Sequence, residues 1–216
     1  MKIHNEPESG TTRRILPVGG ATALAAVLAM ALSQPAHAGE IKPPDVPDQL
    51  KVVDGSVVFL IGHARGSQNY ICLPSGSGFA YSLFTPEATL FDVDGTQLTT
   101  HFFSPNPSDG RFLPTWQDSR DTSSFWGVGV ATATSDTDPD FVAANAISWV
   151  LLDRAGVKAG PTGDRLTKTT HVQRVNTHGG LAPSTGCSGS TDVGRKAISP
   201  YTADYVFYFN PTADPN

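Results

Sequence analysis

The chain has 216 residues, 39% of them hydrophobic and 16% charged, a formal net charge of −5 and only two cysteines. That length suits one domain with a sizeable core. The acidic balance, with no basic run carrying interleaved aromatics, argues against a nucleic-acid partner.

Residues 1–38 read as an export signal. Arg13 and Arg14 form a basic start, Val18 to Leu32 an Ala-rich apolar run of 15 residues, and Ala36, His37 and Ala38 a small-x-small cleavage site. The apolar run is short of the roughly 20 residues that span a bilayer. A retained anchor is the alternative reading. Cleavage makes Gly39 the first mature residue, and no later apolar stretch reaches membrane-spanning length. Thr12, Arg13 and Arg14 match part of the twin-arginine pattern, while Pro17 breaks it, so both export routes stay open. The expected location is periplasmic or extracellular.

Residues 39–50 form a proline-rich, extended lead-in, and residues 51–216 a single β domain. Short extended runs follow one another between Gly, Pro, Asp and Ser clusters: Val57 to Ile61, Asn69 to Leu73, and Phe79 to Phe84. Ala88 to Val93, Asp94-Gly95 and Thr96 to His101 predict a hairpin with a two-residue turn. In that register Thr89, Phe91, Val93, Thr96, Leu98 and Thr100 share one face, and Leu90, Asp92, Gln97, Thr99 and His101 the other. His101 therefore has polar neighbours. Ser104 to Pro114, with three prolines and Asp109-Gly110, reads as a long loop.

Phe125 to Ala131 alternates a large face (Trp126, Val128, Val130) with a small one (Gly127, Gly129, Ala131), and small residues let another layer or a ligand come close. Asp140 to Asn145 suggests one helical turn. Ser148 to Asp153 and Tyr201 to Phe209 are apolar on both faces, as central strands are. Thr- and Val-rich residues 168–178 make another strand, ended by Gly179-Gly180 and kept from continuing by Pro183. The sum is an all-β fold, an antiparallel sandwich or closed barrel of roughly nine to eleven strands. Cys72 and Cys187 allow one intramolecular pairing. An oxidising compartment favours the disulfide over two buried thiols. Chain-entropy arguments value so long a loop at about 4–5 kcal/mol.

Four histidines follow the leader, His63, His101, His171 and His178, and none forms an H-x-H or H-x-x-x-H pair, so no metal site is expected. Gly76-Ser77-Gly78 and Gly186 to Gly189 are only fragments of a nucleophile elbow and lack its helix. No dinucleotide or phosphate loop occurs, and no cofactor is expected. The most site-like segment is Thr115 to Ser124, where Trp116 stands beside Gln117, Asp118, Arg120, Asp121 and hydroxyls. Aromatic stacking with planar hydrogen-bonding groups builds shallow sugar sites. The competing reading is a structural corner with Trp116 in the core and Asp121 capping a turn. Arg174, between valines on an inner strand, calls for a carboxylate partner such as Asp121, Asp153 or Asp204.

Together these segments resemble the secreted family filed as domain of unknown function 3455 (DUF3455), found in bacteria and fungi. The matching residues are Asn69, Tyr70 and Cys72; Leu90, Phe91, Asp92 and Gly95; His101 to Phe103; Pro114 to Trp116 with Asp121 and Ser123; Trp149 to Leu152; Gln173 to Val175 with Thr177, Gly179 and Gly180; Cys187; and Pro200 to Tyr205 with Phe207 and Tyr208. The resemblance implies secretion and assigns no activity to any residue. Some fungal members are similar to infection-structure surface proteins. The dehydrogenase name some members carry has no βαβ unit here to support it.

Three functions stand open. One is an exported binding domain, its ligand a cell-envelope polysaccharide held by Trp116, Gln117, Asp121, His101 and Arg174. Another is a hydrolase using His101 with Asp121 or Asp118 as acid and base. The third is a structural or stress-related envelope protein without a ligand site.

Overall fold

The computed structural model describes residues 41–212, so the expected export signal lies outside the described residues. Eight antiparallel strands close into an up-and-down barrel, each pairing with the next in sequence and the last with the first. They are β1 (Val57–Ser75), β2 (Gly78–Phe91), β3 (Gln97–Pro105), β4 (Phe112–Asp118), β5 (Ser124–Ala133), β6 (Trp149–Lys158), β7 (His171–Gly179) and β8 (Lys196–Phe209). No helix among the described residues is long and apolar enough to cross a membrane.

The architecture is a barrel, not a sandwich, and the strand count is eight rather than nine to eleven, because runs expected to be separate strands fuse. Val57 to Ile61 and Asn69 to Leu73 belong to one 19-residue strand. Phe79 to Phe84 and Ala88 to Phe91 are likewise one strand, continuous through Pro86. β2 pairs with β3 only from Ala88 to Phe91, so Pro86 sits where one edge has no partner and its missing N–H leaves no gap in a ladder.

The β2–β3 connection is a three-residue loop, not the predicted two-residue turn. Asp92 N–H donates to Thr96 O (2.9 Å), and Gly95, at φ +82°, takes the left-handed position. The loop residue gained is offset by a bulge at Leu98, so Ala88 still pairs with His101 and Leu90 with Thr99, as the shorter turn would have it. The bulge turns Leu98 inward. The Ser104 to Pro114 segment is also tighter than expected: β3 and β4 pair as far as Pro105 and Phe112, and Asn106 N–H donates to Arg111 O (2.8 Å) across the turn.

Two apolar layers result. Inside the barrel lie Leu60, Leu90, Leu98, Trp116, Phe125, Leu152, Leu166, Val172, Tyr205 and Phe207. Outside, Val58, Trp149, Leu151, Val175, Val206 and Tyr208 are covered by Val46 and Leu50 of the lead-in and by Val142. That double burial is why β6 and β8 are apolar on both faces. The lead-in is tied down by a 2.6 Å bond from Gln173 Nε2 to Leu50 O. Cys72 and Cys187 form the disulfide, clamping β1 to the loop after β7 across a sequence separation of 115.

Candidate ligand-binding site

Inward-facing side chains from all eight strands line a chamber of about 180 Å³. Its polar groups are Gln68 (β1), His101 (β3), Trp116 (β4), Arg174 (β7) and Tyr205 (β8). Apolar walls come from Leu83, Pro86, Phe103, Pro114, Val150 and Leu152. Gly129 of β5 borders it, and a Cβ built there meets nothing within 4 Å. Gly129 and Leu83 are exposed, so the chamber opens to solvent on their side.

The expected site residues divide three ways. His101, Trp116 and Arg174 converge on this chamber. Gln117, one residue on from Trp116, faces outward into a groove with Phe102, Ser104 and Trp126, as strand alternation requires. Asp121 lies in the β4–β5 corner.

Within the chamber, His101 stacks on Trp116 with ring centroids 4.2 Å apart at 11°. Its Nδ1 lies 2.9 Å from Thr115 O, and a carbonyl only accepts, so Nδ1 carries the proton and Nε2 is left as an acceptor. Burial drives the His101 pKa down to about 3, with the Thr115 bond opposing and the Arg174 charge adding to the fall, so the ring is neutral at ordinary pH. Among the described residues Nε2 has no hydrogen-bond partner.

Arg174 donates from Nε (3.1 Å) and Nη2 (2.8 Å) to Ser148 O. The expected ion pair is not formed. Asp204 is held by His63 and Asn176, Asp153 lies 3.4 Å from His171, and Asp121 receives backbone N–H groups. Nη1 and half of Nη2 therefore remain without a partner among the described residues. Arg174 is half-buried, whereas Trp116 Nε1 and Gln68 Nε2 are sealed from solvent and unpaired, in side chains 1% and 2% exposed. Gln68 carries no local sequence signal. Only the closure of β1 against β8 brings it here.

The corner explains Asp118, Asp121 and Ser123. Asp118 Oδ1 accepts from Arg120 N–H (2.8 Å) and its Oδ2 from Arg165 Nη1 (3.2 Å). Asp121 accepts from Ser123 N–H (2.7 Å) and Arg165 N–H (2.9 Å), and Ser123 Oγ from Leu166 N–H (3.0 Å). Gly160 packs so close that a Cβ there would overlap Asp121 O. Thr122 is held at φ +60°, a region β-branched residues rarely enter, by the bonds around it. Burial raises the Asp121 pKa, and the hydrogen bonds from Ser123 and Arg165 outweigh it, for a net lowering. These carboxylates bolt the 160–166 loop over one end of the barrel. None lines the chamber or bonds His101, so the acid–base pair of His101 with Asp121 or Asp118 is not assembled.

Two His–Asp pairs do form outside the chamber: His63 Nδ1 lies 2.6 Å from Asp204 Oδ1 on the outer face of β1 and β8, and His171 Nε2 lies 3.4 Å from Asp153 Oδ1. No hydroxyl or thiol bonds His63 among the described residues, the Thr170 hydroxyl beside His171 Nδ1 (3.0 Å) donates its own proton to Tyr208 O, and both pairs are direct cross-strand neighbours. Among the described residues no group of three or more His, Cys, Asp or Glu could hold a metal ion.

The model of one family matches residues 54–209, which is the whole barrel. The chain belongs to the family described as Protein of unknown function (DUF3455). No curated protein and no solved structure matches it. The DUF3455 resemblance drawn from Tyr70, Cys72, Trp116 and Arg174 thus holds, and in this member of the family Trp116 and Arg174 line the chamber while Tyr70 and Cys72 secure its β1 wall to the loop after β7.

Proposed function

We propose that this DUF3455 protein is an exported binding barrel whose ligand is a small molecule held in the interior chamber. The observation that carries the reading is the convergence of Arg174, His101 and Trp116 on one apolar-walled chamber, with the Nη1 edge of Arg174 and the Nε2 of His101 lacking any partner among the described residues. Polar groups left without partners in a largely apolar pocket are the groups a bound molecule completes. The disulfide is compatible with export.

The test is occlusion. A Cβ at Gly129 meets nothing within 4 Å, so Gly129→Leu adds bulk at the border of the chamber and should fold as the parent does. In a ligand-observed NMR screen of single-ring fragments, hits on the parent should disappear with Gly129→Leu. Hits that survive it lie outside the chamber.

A cell-envelope polysaccharide is the second reading, and it belongs to the outer groove that Gln117 shares with Phe102, Ser104 and Trp126. Polysaccharide pull-down with Gln117→Ala tests it, with reduced retention expected.

A further inference from the structure

The polar groups of the chamber are unequal in charge, and this restricts what completes them. Arg174 is the only charged side chain in the lining, since Gln68, Trp116 and Tyr205 are neutral and His101 is held neutral by burial. An uncompensated guanidinium in a half-buried site is costly, and its planar array of donors matches a carboxylate in two-point geometry. Arg174 is aimed by Ser148 O, which engages Nε and Nη2 and leaves the remaining edge free. No acid lines the chamber to compete for that edge.

We infer, building on the binding reading above, that the ligand is a single-ring organic monocarboxylate whose carboxylate pairs with Arg174. The size agrees: cavities of about 150 Å³ admit a benzene ring, and this chamber holds about 180 Å³. The walls agree too, because Leu83, Phe103, Pro114 and Val150 favour an apolar ring over a sugar or a free phosphate. A dianion would bring one charge more than Arg174 can neutralise. His101 Nε2, the free acceptor, favours a ring that also carries a hydroxyl donor.

Titration calorimetry on the purified chain at neutral pH tests this with four probes: benzoate, 4-hydroxybenzoate, benzamide and benzyl alcohol. The acids should bind the parent at least about tenfold more tightly than the neutral probes, as a charge-assisted two-point contact requires. Arg174→Gln should erase that preference, with Arg174→Lys recovering part of it, while the neutral probes change little. Neutral probes that match the acids, acids that do not bind at millimolar concentration, or an Arg174→Gln chain that still prefers acids would each overturn the inference. The binding reading fails separately, if Gly129→Leu leaves whatever binding is seen unchanged.

Discussion

His101 shows how one position can be recognised as special while its setting goes unread. Strand alternation groups its face with Leu90 and Thr99, and that face is the barrel interior, not a polar surface. The physical consequence is measurable. A histidine whose folded pKa is near 3, against 6.5 unfolded, binds fewer protons folded than unfolded between those values. Stability is therefore complete above about pH 6.5 and falls as pH drops toward 3. His101→Phe keeps the aromatic stack and removes the titration, so urea unfolding of the variant should lose much of the parent's decline between pH 6.5 and 5; an unchanged slope would contradict the burial. Arg174 was legible as an inner-strand cation, but its lack of a counter-charge was not, because nothing local says where Asp121, Asp153 and Asp204 will be spent.

At the scale of elements, the β4–β5 corner separates architecture from function. Thr115 to Ser124 looked like a site because polar residues crowd around a tryptophan. The structure assigns most of them to closing one end of the barrel. Asp121→Ala removes two backbone caps and should cost about 1–3 kcal/mol in denaturant unfolding, while leaving probe binding by the folded variant within about twofold of the parent. A large loss of binding without a loss of stability would reverse that division. Turns were the more readable elements. Asp94-Gly95 marks Asp92 to Thr96 as a hairpin connection, and the Leu98 bulge absorbs the extra loop residue. Strand ends were less readable, since Gly62, Gly66 and Pro86 resemble breaks and yet lie within β1 and β2.

For the whole molecule, the all-β class, the covered strands β6 and β8, and the disulfide could be read from composition and pattern. The choice of a closed barrel over a sandwich could not, because it depends on β1 pairing with β8, as in His63 opposite Asp204, over most of the chain length. That same closure creates the chamber and delivers Gln68 to it. The Cys72–Cys187 bond secures the β1 side of this seam to the loop preceding β8. Replacing both cysteines with serine should cost about 2–5 kcal/mol in urea unfolding, and a loss below about 1 kcal/mol would show that the strand pairing alone fixes the loop.

The most direct test of the interior site uses the three tryptophans as reporters. Trp116 lines the chamber, Trp126 Nε1 donates to Ser104 Oγ on the outer wall, and Trp149 lies in the outer apolar layer. Indole N–H signals followed by nitrogen–proton NMR during titration with a single-ring fragment that binds should show Trp116 shifting to saturation while Trp126 and Trp149 stay in place. Saturable binding that moves Trp126 or Trp149 and leaves Trp116 still would contradict a ligand inside the barrel.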